Sequence, residues 1–239
     1  MKNWKNRTEL LLGERTISRL TDLSVLIVGI GGVGAFAAEY LCRAGIGKIT
    51  IVDGDVVDLT NLNRQLVALT STIGQNKVDI LANRLKDINP KAEIIPIKIY
   101  LKDEKIPELM ASDKFDYAID AIDTLSPKVH VILNCIKQNI KLVSSMGAGG
   151  KLDPSKVQLV DISETHNCPL ARAIRKRLHK FNLTSGFKAV YSPEHAHGDI
   201  IETETGTSNK RSILGTVSYM PSIFGCFCAS AVIRDMIVE

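Results

Sequence analysis

The segment that most constrains this chain is Leu23-Ser-Val-Leu-Ile-Val-Gly29-Ile-Gly31-Gly32-Val-Gly34, an apolar run that enters four glycines and leads directly into Ala35-Phe-Ala-Ala-Glu-Tyr-Leu-Cys-Arg-Ala44. A run without polar alternation reads as a strand covered on both faces, as in parallel sheets. The residues after it have helical spacing and end at Gly45. Lys48-Ile-Thr-Ile-Val-Asp53 then supplies a β-branched second strand. Strand, helix and strand in this order form a right-handed crossover unit. Glycines at its strand-to-helix turn leave the helix N-terminus uncovered, so its N–H groups can face phosphate oxygens.

The alternation continues. Residues 74–88 read as an amphipathic helix stopped at Asn89-Pro90, and residues 93–99 as a strand interrupted by Pro96. Phe115-Asp-Tyr-Ala-Ile-Asp120 is a further strand, residues 127–138 a helix, and Lys141-Leu-Val-Ser-Ser145 a strand before the Gly147-Ala-Gly-Gly150 turn. The expectation is an α/β fold, Rossmann-like and doubly wound, with a mostly parallel sheet and a C-terminal elaboration. Beyond Gly150 the pattern loosens into a short strand around Val157, a basic helix from Pro169 to about Lys180, and a polar stretch through Lys210 that reads as a mobile loop. No internal repeat is present, so residues 1–239 are expected to form a single unit. Its nucleotide-binding core would span about 20–150, and an elaboration for substrate and dimer contacts about 151–239.

Residues 213–233 carry no charge, a length that could cross a bilayer. Gly215, Thr216, Ser218, Pro221, Ser222, Gly225 and Ser230 break that run, so a strand, a turn and a buried helix starting near Pro221 are expected instead, and no membrane insertion. The five cysteines are scattered and include no Cys-x-x-Cys pair, and the first residues lack the apolar core of a secretory signal. A reducing, cytoplasmic setting fits both. Cys226 and Cys228 read as core residues of the last helix, and Cys168 as a buried or inert thiol.

On Gly29, Gly31, Gly32, Gly34 and Asp53 alone, an NAD-dependent oxidoreductase would be favoured, because a carboxylate ending the second strand accepts hydrogen bonds from a ribose. The next stretch shifts the balance. Asp53-Gly-Asp55 leads into Thr60-Asn61-Leu-Asn63-Arg64-Gln65, and Lys77 follows near the start of the next helix. Two cations and several amides suit a triphosphate whose developing charge must be offset. Asp123, followed by Thr124, lies just past another strand's carboxyl end and can hold Mg²⁺.

These ordered motifs resemble the E1-like family that includes the ThiF, MoeB and HesA activating proteins. The resemblance implies ATP and Mg²⁺ as cofactors, with Asp53 on the ribose, Asn61, Arg64 and Lys77 on the phosphates, and Asp123 on the metal. Gly29, Gly31, Gly32, Gly34, Asp55, Asn63, Gln65 and Thr124 would complete the nucleotide site. Arg7, in Arg7-Thr-Glu-Leu-Leu-Leu-Gly13-Glu, resembles the arginine motif that the family inserts into a partner subunit's site, which implies a homodimer and a catalytic role beside Arg64, Lys77 and Asp123. Over most of the chain the fuller pattern is similar to the tRNA threonylcarbamoyladenosine (t6A) dehydratase branch. It includes Ser144-Ser-Met-Gly-Ala-Gly-Gly-Lys-Leu-Asp-Pro154 and Ser218-Tyr-Met-Pro-Ser-Ile-Phe-Gly225. Cys168 departs from that pattern, where an acidic residue is usual. The branch implies ATP-dependent cyclisation of t6A at tRNA position 37 to cyclic t6A. It leaves open a monovalent cation at the glycine-rich turn and a cysteine desulfurase or sulfur-acceptor partner. Residues 166–193 contain no acid, while Arg172, Arg175, Lys176, Arg177, Lys180 and Lys188 are basic, and Arg172, Arg175, Lys176, Arg177 and Lys180 read either as a tRNA-binding surface or as a solvated helix face. An activator of a ubiquitin-like sulfur carrier is the main alternative.

Overall fold

The computed structural model describes residues 4–102, 104–198, 200–202 and 212–237. Two short helices, α1 (Asn6–Leu12) and α2 (Glu14–Asp22), precede the sheet. The chain continues through β1 (Ser24–Val28), α3 (Gly34–Ala44), β2 (Lys48–Val52), α4 (Lys77–Ile88), β3 (Glu93–Ile97), α5 (Lys105–Ala111), β4 (Tyr117–Asp120), α6 (Leu125–Lys137) and β5 (Lys141–Ser145). It ends with β6 (Gln158–Asp161), α7 (Pro169–Leu178), β7 (Lys188–Tyr191), the hairpin strands β8 (Ile200–Glu202) and β9 (Ser212–Leu214), and α8 (Tyr219–Arg234).

The sheet has seven strands in the order β3-β2-β1-β4-β5-β7-β6, all parallel except β6, which runs antiparallel to β7. Between β1 and β4 the winding reverses, and an open α/β sheet parts its loops at such a point to admit a ligand. The full burial of β1 and β4 follows from cover on both faces. Residues of α3, α4 and α8 pack over one face, and those of α5, α6 and α7 over the other. Register decides what meets at the carboxyl ends. Val28 lies opposite both Val52 and Asp120, so the residues that follow the three strands emerge side by side.

Several boundaries moved. The helix expected over 74–88 starts at Lys77, because Gly74 sits at φ 83° and Asn76 is an extended cap. The stretch after the basic helix is not loop throughout: Lys188–Tyr191 joins the main sheet beside β5, a parallel pairing between distant segments that local patterning does not reveal. Of the expected mobile loop, residues 199 and 203–210 lie outside the described ones. The last helix begins at Tyr219, two residues before Pro221, so the proline occupies its first turn, where a missing N–H costs nothing. No helix among the described residues is long and apolar enough to cross a membrane. Cys228 is buried as expected, with its thiol pushed up to about 12 mainly by burial, but Cys226 is exposed on the opposite side of the same helix. Cys168 is buried at the cap of α7.

Candidate active site

The glycine turn is built by close approach. Gly29 has φ 90°, and a Cβ there would stand 2.8 Å from the carbonyl oxygen of Ala121. A methyl group at Gly34 would overlap the carbonyl oxygen of Gly29 itself. Only glycine fits either position, and the outcome is a turn pressed between the ends of β1 and β4 with α3 starting directly behind it. Backbone bonds fix the neighbours: Gly29 N donates to Val52 O at 2.9 Å, and Ala121 N to Val28 O at 2.8 Å.

Asp53 follows β2. It accepts hydrogen bonds from Ile30 N at 2.6 Å and from Asp55 N at 2.8 Å. Burial pushes its carboxyl above the ordinary range, while those N–H groups and the charge of Lys77 pull the other way. Lys77 is buried on the first turn of α4 and forms an ion pair with exposed Asp55 at 3.0 Å. Tyr100 stands against Gly54, and the charge of Asp55 pushes its hydroxyl up. Nothing in the sequence marked that tyrosine, because it lies in the loop after β3 and reaches the site only through sheet order.

A 3₁₀ turn, Leu59–Asn61, carries the amide-rich segment. Asp58 caps it, and buried Asn61 closes the cap by accepting from Asp58 N at 3.1 Å. Arg64 donates to Thr60 O at 2.9 Å and to Asn63 Oδ1 at 2.8 Å, while Asn63 Nδ2 donates to Thr216 O at 3.0 Å. Gln65 lies beside Gly31, and its buried Oε1 has no hydrogen-bond partner. Pro221 of α8 packs on Gly32, so the last helix walls one side of the turn.

The third contribution is the turn after β4. Asp123 is exposed there, and Thr124 caps α6 with an extended backbone. Beneath them Asp120 and Lys128, both fully buried, form an ion pair at 2.9 Å that the sequence reading did not single out. Its signal was a lysine in the first turn of an otherwise apolar helix.

The fold thus gathers Gly29, Gly31, Gly32, Gly34, Asp53, Asp55, Asn61, Asn63, Arg64, Gln65, Lys77 and the turn bearing Asp123 and Thr124 around the switch point. Arg7 is elsewhere, exposed on α1, which packs on α2. Of the basic residues near α7, Arg172, Lys176, Arg177 and Lys180 are exposed. Arg175 instead turns inward and donates to Thr165 Oγ1, and Lys188 pairs with Asp235.

The donor set fits a nucleoside triphosphate. Gly29 and Gly34 have room for no side chain, the half-buried Asp53 carboxylate can accept from a ribose hydroxyl, and Gln65 offers a buried acceptor that lacks a donor. No group of three or more His, Cys, Asp or Glu suited to a metal occurs among the described residues. Asp123, exposed on the turn after β4, is a hard oxygen donor of the kind Mg²⁺ takes beside substrate phosphates.

A strand-capping glycine turn at the switch point of a doubly wound sheet, flanked by the Asp53 carboxylate and the Arg64 and Lys77 cations, is the arrangement of a nucleotide-binding α/β protein, and the ThiF family model matches residues 5–237. The chain belongs to the ThiF family. It is 38% identical over 241 residues to the tRNA threonylcarbamoyladenosine dehydratase of Bacillus subtilis, covering 98% of this chain and 94% of that protein. The crystal structure of Escherichia coli tRNA N6-threonylcarbamoyladenosine dehydratase, TcdA, superposes with a TM-score of 0.88 at 33% identity, covering 98% of this chain and 93% of that one. The same E. coli protein in complex with ATP gives a TM-score of 0.87.

Proposed function

We propose that this chain catalyses the ATP-dependent dehydration of N6-threonylcarbamoyladenosine at tRNA position 37, forming the cyclic derivative through an adenylated carboxylate. The observation that carries the reading is the convergence of the glycine turn, Asp53, Lys77 and the Asp123 turn at the aligned ends of β1, β2 and β4. Its substrate follows from the likeness to the dehydratases over nearly the whole chain.

The chemistry balances without a protein nucleophile. A carboxylate oxygen of the threonine moiety attacks the α-phosphorus of ATP, and the bond to pyrophosphate breaks. The ureido nitrogen then attacks the activated carbonyl carbon, AMP leaves with the carboxylate oxygen, and the nitrogen loses its proton. Net loss is one water. Asp53 accepts from the ribose, and the N–H groups of the glycine turn face the phosphates. Lys77 and Arg64 stabilise the leaving pyrophosphate. For Arg64 this means exchanging two neutral carbonyl acceptors for charged phosphate oxygens, a stronger pairing. Asp123 would hold Mg²⁺, which would supply Lewis-acid charge at the phosphates.

An intramolecular nucleophile needs no acceptor thiol, in keeping with Cys42, pushed up to about 11, and Cys135, pushed up to about 12, in both mainly by burial. Arg172, Lys176, Arg177 and Lys180 would meet tRNA phosphates. Arg7 would complete the site of a second copy in a homodimer, in keeping with its place on an exposed helix whose Leu10 and Leu11 also face outward. Residues 1–239 would act as one adenylating unit, with the core over about 20–150 and the tRNA-facing elaboration over 151–239.

The test is pyrophosphate release from ATP. It is expected with t6A-bearing tRNA and not with tRNA lacking t6A. Release that instead requires a small carrier protein with a glycine tail would assign the chain to sulfur-carrier activation. Neither release, with nicotinamide dinucleotide binding, would reject adenylation.

A further inference from the structure

Among the described residues, the Asp120–Lys128 pair is the most deeply buried ion pair, and the proposed reaction does not use it. Both side chains are fully removed from solvent. The ammonium of Lys128 reaches Asp120 Oδ2 at 2.9 Å, Asp120 O at 3.3 Å and Ile122 O at 3.0 Å. Asp120 is saturated from the other side by Ser144 Oγ at 2.8 Å and Ile122 N at 3.1 Å. Every group named here is hydrogen-bonded.

Burying such a pair gives little stability, since desolvation of two ions offsets most of their attraction, and an apolar pair of similar volume commonly does as well. What it does provide is geometry. The three acceptors of Lys128 all lie on the carboxyl end of β4 and the first residues of the turn, so the ammonium clamps the backbone immediately before Asp123 and Thr124. On its opposite side the same turn is pressed onto Gly29, where Ala121 O leaves no room for a Cβ. It is therefore held between the glycine turn and the lysine. The lysine also cancels the charge of Asp120, which would otherwise add to those of Asp53, Asp55 and Asp123 facing a tetra-anionic ligand.

We propose that Lys128 is a positioning residue for the proposed adenylation site: through Asp120 and the carbonyl of Ile122 it fixes the turn that presents Asp123 to the metal-bound triphosphate. This rests on the adenylation reading but not on the identity of the RNA.

The decisive variant is Asp120→Asn combined with Lys128→Met, which removes both charges, keeps volume, and leaves an amide to bond Ser144 and Ile122. Thermal shift by ATP is measured with Mg²⁺ and with chelator, alongside pyrophosphate release. The wild-type protein should be stabilised by ATP alone and further by Mg²⁺. The double variant should keep the metal-free shift, lose most of the Mg²⁺ increment, and release pyrophosphate about 100-fold more slowly at saturating ATP with its KM for ATP within about threefold, in the range seen when one preorganised electrostatic contact is lost. A double variant with an intact Mg²⁺ increment and normal turnover overturns the assignment. Should it fail to fold, Ser144→Ala serves in its place, since it frees one side of Asp120. A threefold or larger rise in the Mg²⁺ concentration for half-maximal release supports the proposal, and no change overturns it. Absence of any Mg²⁺ increment in the wild-type protein would reject the adenylation reading and this inference together; a normal wild type beside an unaffected variant rejects the inference alone.

Discussion

At the glycine turn the groups that would face an anion are backbone N–H groups, held by a strand end, a helix and a neighbouring turn that leave no space for a methyl group at Gly29 or Gly34. On and just after α7 they would be the ends of long side chains, exposed to solvent and spread along about two turns. Both surfaces are read here as phosphate sites. The difference is where the ordering cost falls: it is met in folding at the turn, and at each binding event on α7. A preorganised, partly desolvated site suits chemistry on one phosphorus atom, whereas mobile surface cations suit a large polyanion whose affinity derives from released counterions.

The strongest blow to that contrast falls on the rigid site. Lys77→Ala and Asp123→Ala should each reduce pyrophosphate release by about 10²–10³-fold, with circular dichroism unchanged for Asp123→Ala. Activity retained by Asp123→Ala would remove that carboxylate from the metal role. Gly34→Ala should act on the fold instead, costing about 3 kcal/mol in denaturant unfolding, because the added methyl group meets backbone that cannot yield.

Part of this contrast was legible in the sequence and part was not. Local periodicity and turn chemistry specified β1, α3, β2 and the glycine turn, because each is determined by its own residues. The pairing of β5 with β7 was missed, since it depends on contact between distant segments, and the helices α1, α2 and α5 were not named either. The same limit applied at the site. Asp53, Lys77 and Asp123 could be named from their places at strand and helix ends, whereas Tyr100 and Lys128 take part only through the sheet order and the packing of α6. The basic run could be counted, but which cations face outward could not: Arg175 is spent on Thr165 and Lys188 on Asp235.

On α7 the expected effects are smaller and of another kind. Arg177→Ala or Lys176→Ala should weaken tRNA binding uniformly across tRNA sequences and lower the slope of log affinity against log salt by about one per residue, measured by fluorescence anisotropy over a salt series. Arg175→Ala should leave that slope unchanged, because its guanidinium is turned into the protein. Equal slopes for Arg175 and Arg177 variants would break the distinction between inward and outward cations.

The mildest prediction concerns pH. Burial raises the carboxyl of Asp53 in the free protein, and a ribose donor favours its ionised form. ATP binding should therefore lower that pKa again. The ATP-dependent thermal shift is then full above the raised value and declines as pH falls through it, at higher pH than an ordinary aspartate would give. Asp53→Asn should flatten the profile.

The most direct test of the whole account is the mass of the nucleoside at position 37 after t6A-bearing tRNA is incubated with this protein, ATP and Mg²⁺. The account predicts a nucleoside lighter by one water, formed only when ATP is present and accompanied by AMP and pyrophosphate. Unchanged t6A under conditions where the protein consumes ATP would contradict it.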